Sequence, residues 1–212
     1  MTQKTPGHGI KAVVFDCDGV MFDSQEANEA YYNHILEHFH KPRMTKSQSA
    51  FAHMATVHEA LALLFPEPED LAAAQVYRKG LSYMPFIPLM RMEPHLRGLL
   101  AFLRPRYKTA ISTNRSDTMN RVLAQHGLDG CFDMVVTSLD VAHPKPHPEP
   151  LIKIADALGI LRHEALYIGD SIVDAQACQG AGMRFVSFRN PDLPAALHVS
   201  SLDAVRRFLE EN

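Results

Sequence analysis

Apolar residues along this chain fall into two patterns, and the places where one gives way to the other outline the fold. Short apolar runs, too brief for helices, occur at Lys11 to Phe15, Thr109 to Ser112, Met134 to Thr137, Leu166 to Ile168 and Arg184 to Phe188. Runs of this length without strict alternation are the mark of strands covered on both faces. Between them the period lengthens. Leu96, Leu99, Leu100 and Leu103 recur at i, i+3, i+4 and i+7, the core-facing stripe of a helix. Further helical patterns cover Asp117 to His126, stopped by Gly127, and Glu149 to Leu158, stopped by Gly159. Two more run from Ile172 to Gln179 and from Leu202 to Leu209. Strands separated by helices in this order predict right-handed crossovers and a parallel sheet with helices on both faces, a Rossmann-like three-layer α/β core.

One block interrupts the alternation. From Asp23-Ser24, a helix cap with Glu26 three residues after Asp23, a helical pattern runs to about Phe39, and Pro42 ends it. Helices are predicted over Lys46 to Phe51, Val57 to Phe65 and Leu71 to Tyr83, and no strand signal occurs among them. The chain therefore divides into a core of residues 1–20 and 94–212 and an all-helical cap of residues 21–93, inserted after the first strand.

Candidate chemistry sits where the strands end. The first stops at Asp16-Cys17-Asp18-Gly19, two carboxylates one residue apart, which is costly without a cation between them. The second stops at Ser112-Thr113-Asn114, and a later one at Gly169-Asp170, with Asp174 four residues on in the first turn of a helix. Lys145 stands between Pro144 and Pro146 in a loop of restricted freedom. In open parallel sheets ligands bind beyond the carboxyl ends of the strands. Asp16, Thr113 and Asp170 are thus expected to converge on one cleft, although about a hundred residues separate the first two.

With these four segments in this order, the chain resembles the haloacid dehalogenase superfamily, and within it the phosphoglycolate phosphatase-like group with a small helical cap. Asp16-x-Asp18, Thr113, Lys145 and Gly169-Asp170-x-x-x-Asp174 match its four motifs. The resemblance implies a magnesium-dependent phosphatase for a small phosphomonoester. Asp16 would be the nucleophile that forms an aspartyl-phosphate. Asp18 would protonate the departing oxygen and then activate water. Thr113, the Asn114 amide and Lys145 would hold the phosphoryl oxygens. Mg2+ would be bound by Asp16, Asp170 and the backbone carbonyl of Asp18, with Asp174 orienting the site from just outside. Asp18 speaks against a dehalogenase, since halide leaves without a proton, and against phosphonate-cleaving relatives, which carry a small residue there. A sugar-phosphate mutase of the same superfamily is the alternative, and a non-catalytic protein binding a phosphorylated metabolite is the alternative of another class. In the cap, Arg43, Lys46, His53, Thr56 and His58 are expected to face the leaving group. Caps of this group often carry a glycine here, and Phe51 to Thr56 contains none.

Composition narrows the partners. With 212 residues, 46% of them hydrophobic, the chain can bury one full core and carry a smaller second unit. A formal charge of -3 without any basic run gives no footprint for nucleic acid or an anionic membrane. The expected partner is a small phosphorylated metabolite, bound by a monomer or homodimer. Three widely spaced cysteines, Cys17, Cys131 and Cys178, read as buried small hydrophobes in a reducing compartment. No signal-type or membrane-length apolar stretch is present, so the expected location is the cytoplasm. His34 and His38 share a helix face without a third ligand and are read as structural.

Overall fold

A computed structural model describes residues 9–211, so the reading of residues 1–8 as free of a signal segment lies outside the described residues. Six parallel strands form the central sheet: β1 (Ala12–Phe15), β4 (Lys108–Ser112), β5 (Met134–Val136), β6 (Ala165–Gly169), β7 (Arg184–Phe188) and β8 (Leu197–Val199). Their order is β5-β4-β1-β6-β7-β8. The first strand is central, with successive strands laid to one side of it and then to the other, so the switch in direction falls at β1. Phe15 pairs with Ile111 of β4 on one side and with Ile168 of β6 on the other. Asp16, Thr113 and Asp170 consequently leave the sheet at nearly one height, on its carboxyl edge.

Alternating side chains divide the strands between two apolar layers. Val13, Phe15, Ile111, Leu166, Ile168 and Phe188 join one cluster with α5 (Leu96–Leu103), α6 (Met119–Gln125) and α9 (Leu202–Glu210). Val14, Ala110, Tyr167 and Phe185 join the other with α7 (Glu149–Leu158) and α8 (Ile172–Ala181). This is the three-layer arrangement expected from the period switches. The leucine stripe of α5 is buried at all four positions.

The helical block comprises α1 (Gln25–His38), α2 (Lys46–Met54), α3 (Val57–Leu64) and α4 (Pro68–Gly80). It is not free of strand. Phe22–Asp23 (β2) and Arg91–Met92 (β3) pair antiparallel, Phe22 with Met92, where the chain leaves for the helices and returns. Two-residue strands carry no period for a pattern to detect, and the same brevity hid β8, whose centre is His198. Residues such as Tyr31, Ile35, Leu61, Phe65 and Ile87 belong to the same apolar cluster as β1, so the cap helices are seated on the sheet's own core. The proposed division at residues 21 and 93 falls beside this ribbon. Cys17 and Cys178 are buried as expected, whereas Cys131 is half-buried beside a turn. His38 stacks on Tyr77 with centroids 3.8 Å apart, and the Tyr77 hydroxyl meets Nε2 of His34 at 3.2 Å. No helix among the described residues is long and apolar enough to cross a membrane.

Candidate active site

Two glycines let the acidic groups close in on each other. A side chain at Gly19, where φ is +80°, would collide with the Asp170 carboxylate, and one at Gly169 would collide with Asp174. With both positions bare, Asp16, Asp170 and Asp174 each place a carboxylate oxygen within 4.8 Å of the others. Lys145 reaches into this group from its loop. Its Nζ donates to Asp16 Oδ1 at 2.8 Å, to Asp174 Oδ1 at 2.6 Å and to the Tyr167 hydroxyl at 2.9 Å. That hydroxyl donates in turn to Asp174 Oδ1 at 2.6 Å. Asp174 Oδ2 accepts from the Ser171 backbone and hydroxyl at the start of α8, and Asn190 Nδ2 holds the Asp170 carbonyl at 2.9 Å.

The electrostatics of this floor are uneven. Burial, with Asp174 and Asp18 adding repulsion, pushes the Asp16 carboxyl up to about 7 although Lys145 pulls the other way. Asp170, buried and facing Asp174 and Asp16, is pushed up to about 8. Burial would raise Asp174 too, but the Lys145 ammonium and its hydrogen bond hold it below the usual carboxylate range. Two carboxyls resisting ionisation, side by side and all oxygen in their ligand atoms, fit a hard divalent cation.

Asp18 has a different environment. Its carboxylate is clasped by Arg115, with Nε donating to Oδ2 at 2.8 Å and Nη2 to Oδ1 at 2.7 Å, and the Ser24 hydroxyl donates to Oδ1 as well. Burial would raise this carboxyl, but the guanidinium beside it brings it below the ordinary value. The expected cap of α1 is therefore altered: Ser24 occupies the N-cap position, yet its hydroxyl serves Asp18 instead of the helix. Arg115 Nη2 also meets Asn28 Oδ1 at 3.1 Å and the Tyr83 hydroxyl at 3.2 Å. Asn28 Nδ2 lies 3.3 Å from His53 Nδ1. A polar chain thus runs from the sheet edge into the cap. Four carboxylates against two buried cations, Lys145 and Arg115, leave two negative charges, the amount one divalent ion balances.

Thr113 and Asn114 lie on the same cleft. Thr113 Oγ1 accepts from the Arg115 backbone at 3.1 Å, while Asn114 Nδ2 bridges the Met54 and Lys145 carbonyls at 3.1 and 2.9 Å. Of the cap residues expected here only His53 lines the cleft. Arg43 is exposed in a shallow depression beside Asp23, Glu26 and Glu29 on the outer side of α1. Lys46 is exposed in the first turn of α2. Thr56 caps α3, exchanging hydrogen bonds with Glu59, and His58 is exposed and bound to Gln75. Thr56 thus serves a helix end, Arg43 lies by the acidic side of α1 and His58 contacts α4, roles that polarity alone does not distinguish from ligand contact. Arg115, Asn28, Tyr31, Arg78 and Tyr83 also line the cleft and went unread. Arg115 carried a signal, since it follows Thr113-Asn114 directly at a strand end; the others sit in ordinary helical or loop sequence.

Comparison with known proteins agrees with this geometry. A haloacid dehalogenase-like hydrolase family model matches residues 13–188. The chain is similar to a hydrolase of that superfamily, subfamily IA, from Geobacter sulfurreducens, at 41% identity and TM-score 0.78 over 96% of this chain and 98% of the other. It is 30% identical to pyrophosphatase PpaX of Bacillus velezensis, covering 82% of this chain and 81% of the relative. In fold it also resembles a β-phosphoglucomutase from Clostridium difficile, with TM-score 0.81 at 21% identity over 95% and 98% of the two chains. By the extent of the family match and the shared sheet, the chain belongs to the haloacid dehalogenase-like hydrolases.

Proposed function

We propose that this hydrolase is a magnesium-dependent phosphatase that cleaves a small phosphorylated metabolite through an aspartyl-phosphate on Asp16. The observation that carries the reading is the Asp16 carboxylate at the end of β1, with Lys145 Nζ 2.8 Å from Oδ1 and Asp170 alongside. One Asp16 oxygen is engaged by a fixed cation while the carboxylate as a whole faces the cleft, as an in-line nucleophile requires. Lys145, anchored by Tyr167 and Asp174, supplies positive charge beside both the nucleophile and an incoming phosphoryl group. Thr113 and the Asn114 amide, on the same cleft, are the groups to donate to the phosphoryl oxygens.

Asp16, Asp170 and the Asp18 carbonyl are the groups to hold Mg2+, with Asp174 keeping Lys145 and the turn after β6 in place. When bound, the ion neutralises charge on the phosphoryl oxygens. Asp18, kept ionised by Arg115, is in the form that takes a proton from water for hydrolysis of the aspartyl-phosphate. To protonate the leaving oxygen in the first half it must acquire a proton, which requires loosening its hold on Arg115.

The test is phosphate release from p-nitrophenyl phosphate and a panel of phosphorylated metabolites, with Mg2+ and with a chelator. Turnover is expected only with the metal, and Asp16→Asn should fall on the order of 10³-fold or more while folding normally. Near-normal turnover in Asp16→Asn would end the nucleophile assignment. Isomer formation without stoichiometric phosphate would replace the phosphatase by a mutase.

A further inference from the structure

Arg78, on the last turn of α4, has a guanidinium that lines the same cleft as Asp16, Asp18 and Asp170. Its side chain is only 15% exposed, and Nε is sealed from water without a hydrogen-bond partner. The facing acid, Asp117, stands 3.6 Å from Nη1, beyond hydrogen-bond reach; it is 63% exposed and already accepts from Ser116 Oγ at 2.9 Å. Arg78 donates one hydrogen bond to the Tyr31 hydroxyl. A guanidinium has five donors, and burying it short of acceptors is costly. Arg115 makes the contrast plain, because Asp18, Asn28, Tyr83 and Thr118 take up its donors. Of these two arginines on the cleft, Arg78 is the one that no carboxylate holds by a hydrogen bond, its Asp117 pair standing at 3.6 Å.

The space in front of it lies under the cap. The cap is drawn onto the core by the Asn114 bond to the Met54 carbonyl and by Arg115 reaching Asn28 and Tyr83. The cleft between them has room for several waters, and Arg78 borders it together with Asp16, Asp18 and Asp170.

We propose that Arg78 reads the leaving group, and that the preferred substrate carries a second negative charge a few atoms from the scissile phosphorus, either a carboxylate on a short carbon stem or a second phosphate. This rests on the phosphatase reading and narrows it. An anion meeting Arg78 gains charge-assisted hydrogen bonds from a guanidinium whose side chain is mostly withdrawn from water. A neutral leaving group of equal size leaves the guanidinium as under-satisfied as it stands now, which is the basis of discrimination.

The experiment measures kcat/KM for phosphate release by the full chain with Mg2+ on three probes. These are 2-phosphoglycolate, inorganic pyrophosphate and 2-hydroxyethyl phosphate, the last a neutral match in size for the first. The wild type should favour at least one anionic probe over the neutral one by about tenfold or more, and whichever is favoured identifies carboxylate or phosphate as the recognised group. Arg78→Ala should bring that ratio down to about 1, and Arg78→Gln, which keeps the stem packed, should do the same if the alanine variant folds poorly. Lys79→Ala, an exposed cation one residue on, should leave the ratio unchanged. Equal wild-type rates on charged and neutral probes, or an equal loss on all three in Arg78→Gln, would overturn the assignment. If neither these probes nor p-nitrophenyl phosphate yields phosphate, the phosphatase reading fails and takes this inference with it. Turnover without charge discrimination sinks the inference alone.

Discussion

On the floor of the cleft Asp16 and Asp170 are pushed up to about 7 and 8, while on the wall two residues beyond Asp16 the Asp18 carboxyl is held below its ordinary value. All three are buried or nearly so and border one cavity. The difference lies in their neighbours. Around Asp16 and Asp170 carboxylates outnumber cations, since Lys145 is shared between Asp16 and Asp174. Asp18 has a guanidinium bound to both its oxygens. The floor carries excess negative charge, whereas the wall's carboxylate is balanced by its guanidinium. On the proposed reading, one cleft then binds a metal at one side and keeps a proton-transfer group clear of it at the other.

The largest expected effect comes from weakening the floor. Asp170→Asn should lower kcat/KM on the order of 10³-fold at fixed Mg2+, part of which returns at high metal concentration. Without metal the same variant should melt at a higher temperature than the wild type, because one of the repelling carboxylates is gone. A lower metal-free melting temperature would mean that Asp170 stabilises the fold through contacts outweighing its repulsion, and the contrast between floor and wall would be lost.

On the wall the sign reverses. Arg115→Ala leaves Asp18 buried with its partner removed, and the expected cost is about 3–5 kcal/mol of stability, read from denaturant unfolding. Asp18→Asn in the Arg115→Ala background should recover a good part of it, giving a clear coupling in the double-mutant cycle. Additive losses would show that Arg115 acts mainly through Asn28, Tyr83 and Thr118.

Stability against pH should separate the two regions in one titration. Asp16 and Asp170 have folded values above the usual carboxylate range, so between about 4 and 8 the metal-free native state holds more protons than the unfolded chain. Unfolding free energy should therefore fall as pH rises through that window, and Mg2+ should flatten the decline by favouring the ionised forms. Asp18 works oppositely: its contribution is present above the unfolded value near 4 and is lost as pH falls through its lower folded value. Metal-free protein that grows more stable from pH 5 to 8 would contradict the floor's assignment.

The same contrast explains what the sequence disclosed. Floor groups sit at strand ends, where a break in an apolar run marks their height in the sheet, so Asp16, Thr113 and Asp170 were legible as a convergent set. Lys145 was legible through its prolines. Tyr167 was not, because inside β6 it reads as one more apolar residue, yet it sits with Lys145 and Asp174 beneath the floor. The wall depends on how helices lie over the sheet, and no period encodes that. Asn28, Tyr83 and Arg78 come from separate elements of the cap, and polarity pointed instead to Arg43 and Lys46, which are exposed and do not line the cleft. Short pairings such as β2 with β3 fail for a related reason: register over two residues is set by the neighbours and not by the strand.

The smallest effect concerns the edge of the wall. Thr56 belongs to a stretch whose polarity suggested ligand contact, but its hydroxyl accepts from the Glu59 backbone at 3.3 Å while the Glu59 carboxylate accepts from the Thr56 backbone at 2.8 Å. That reciprocal capping box ties down the start of α3. Thr56→Ala should cost about 1 kcal/mol of stability, and Thr56→Ser should recover most of it, since serine keeps the accepting oxygen. Neither should alter the ratio of rates on charged and neutral phosphate esters, which Arg78 is proposed to set. If Thr56→Ala shifts that ratio by tenfold while stability is unchanged, the hydroxyl is turned toward the substrate during turnover and the recognising surface includes the cap of α3 as well as Val57 beside it. A stability loss with an unchanged ratio would confine that surface to the side chains already on the cleft.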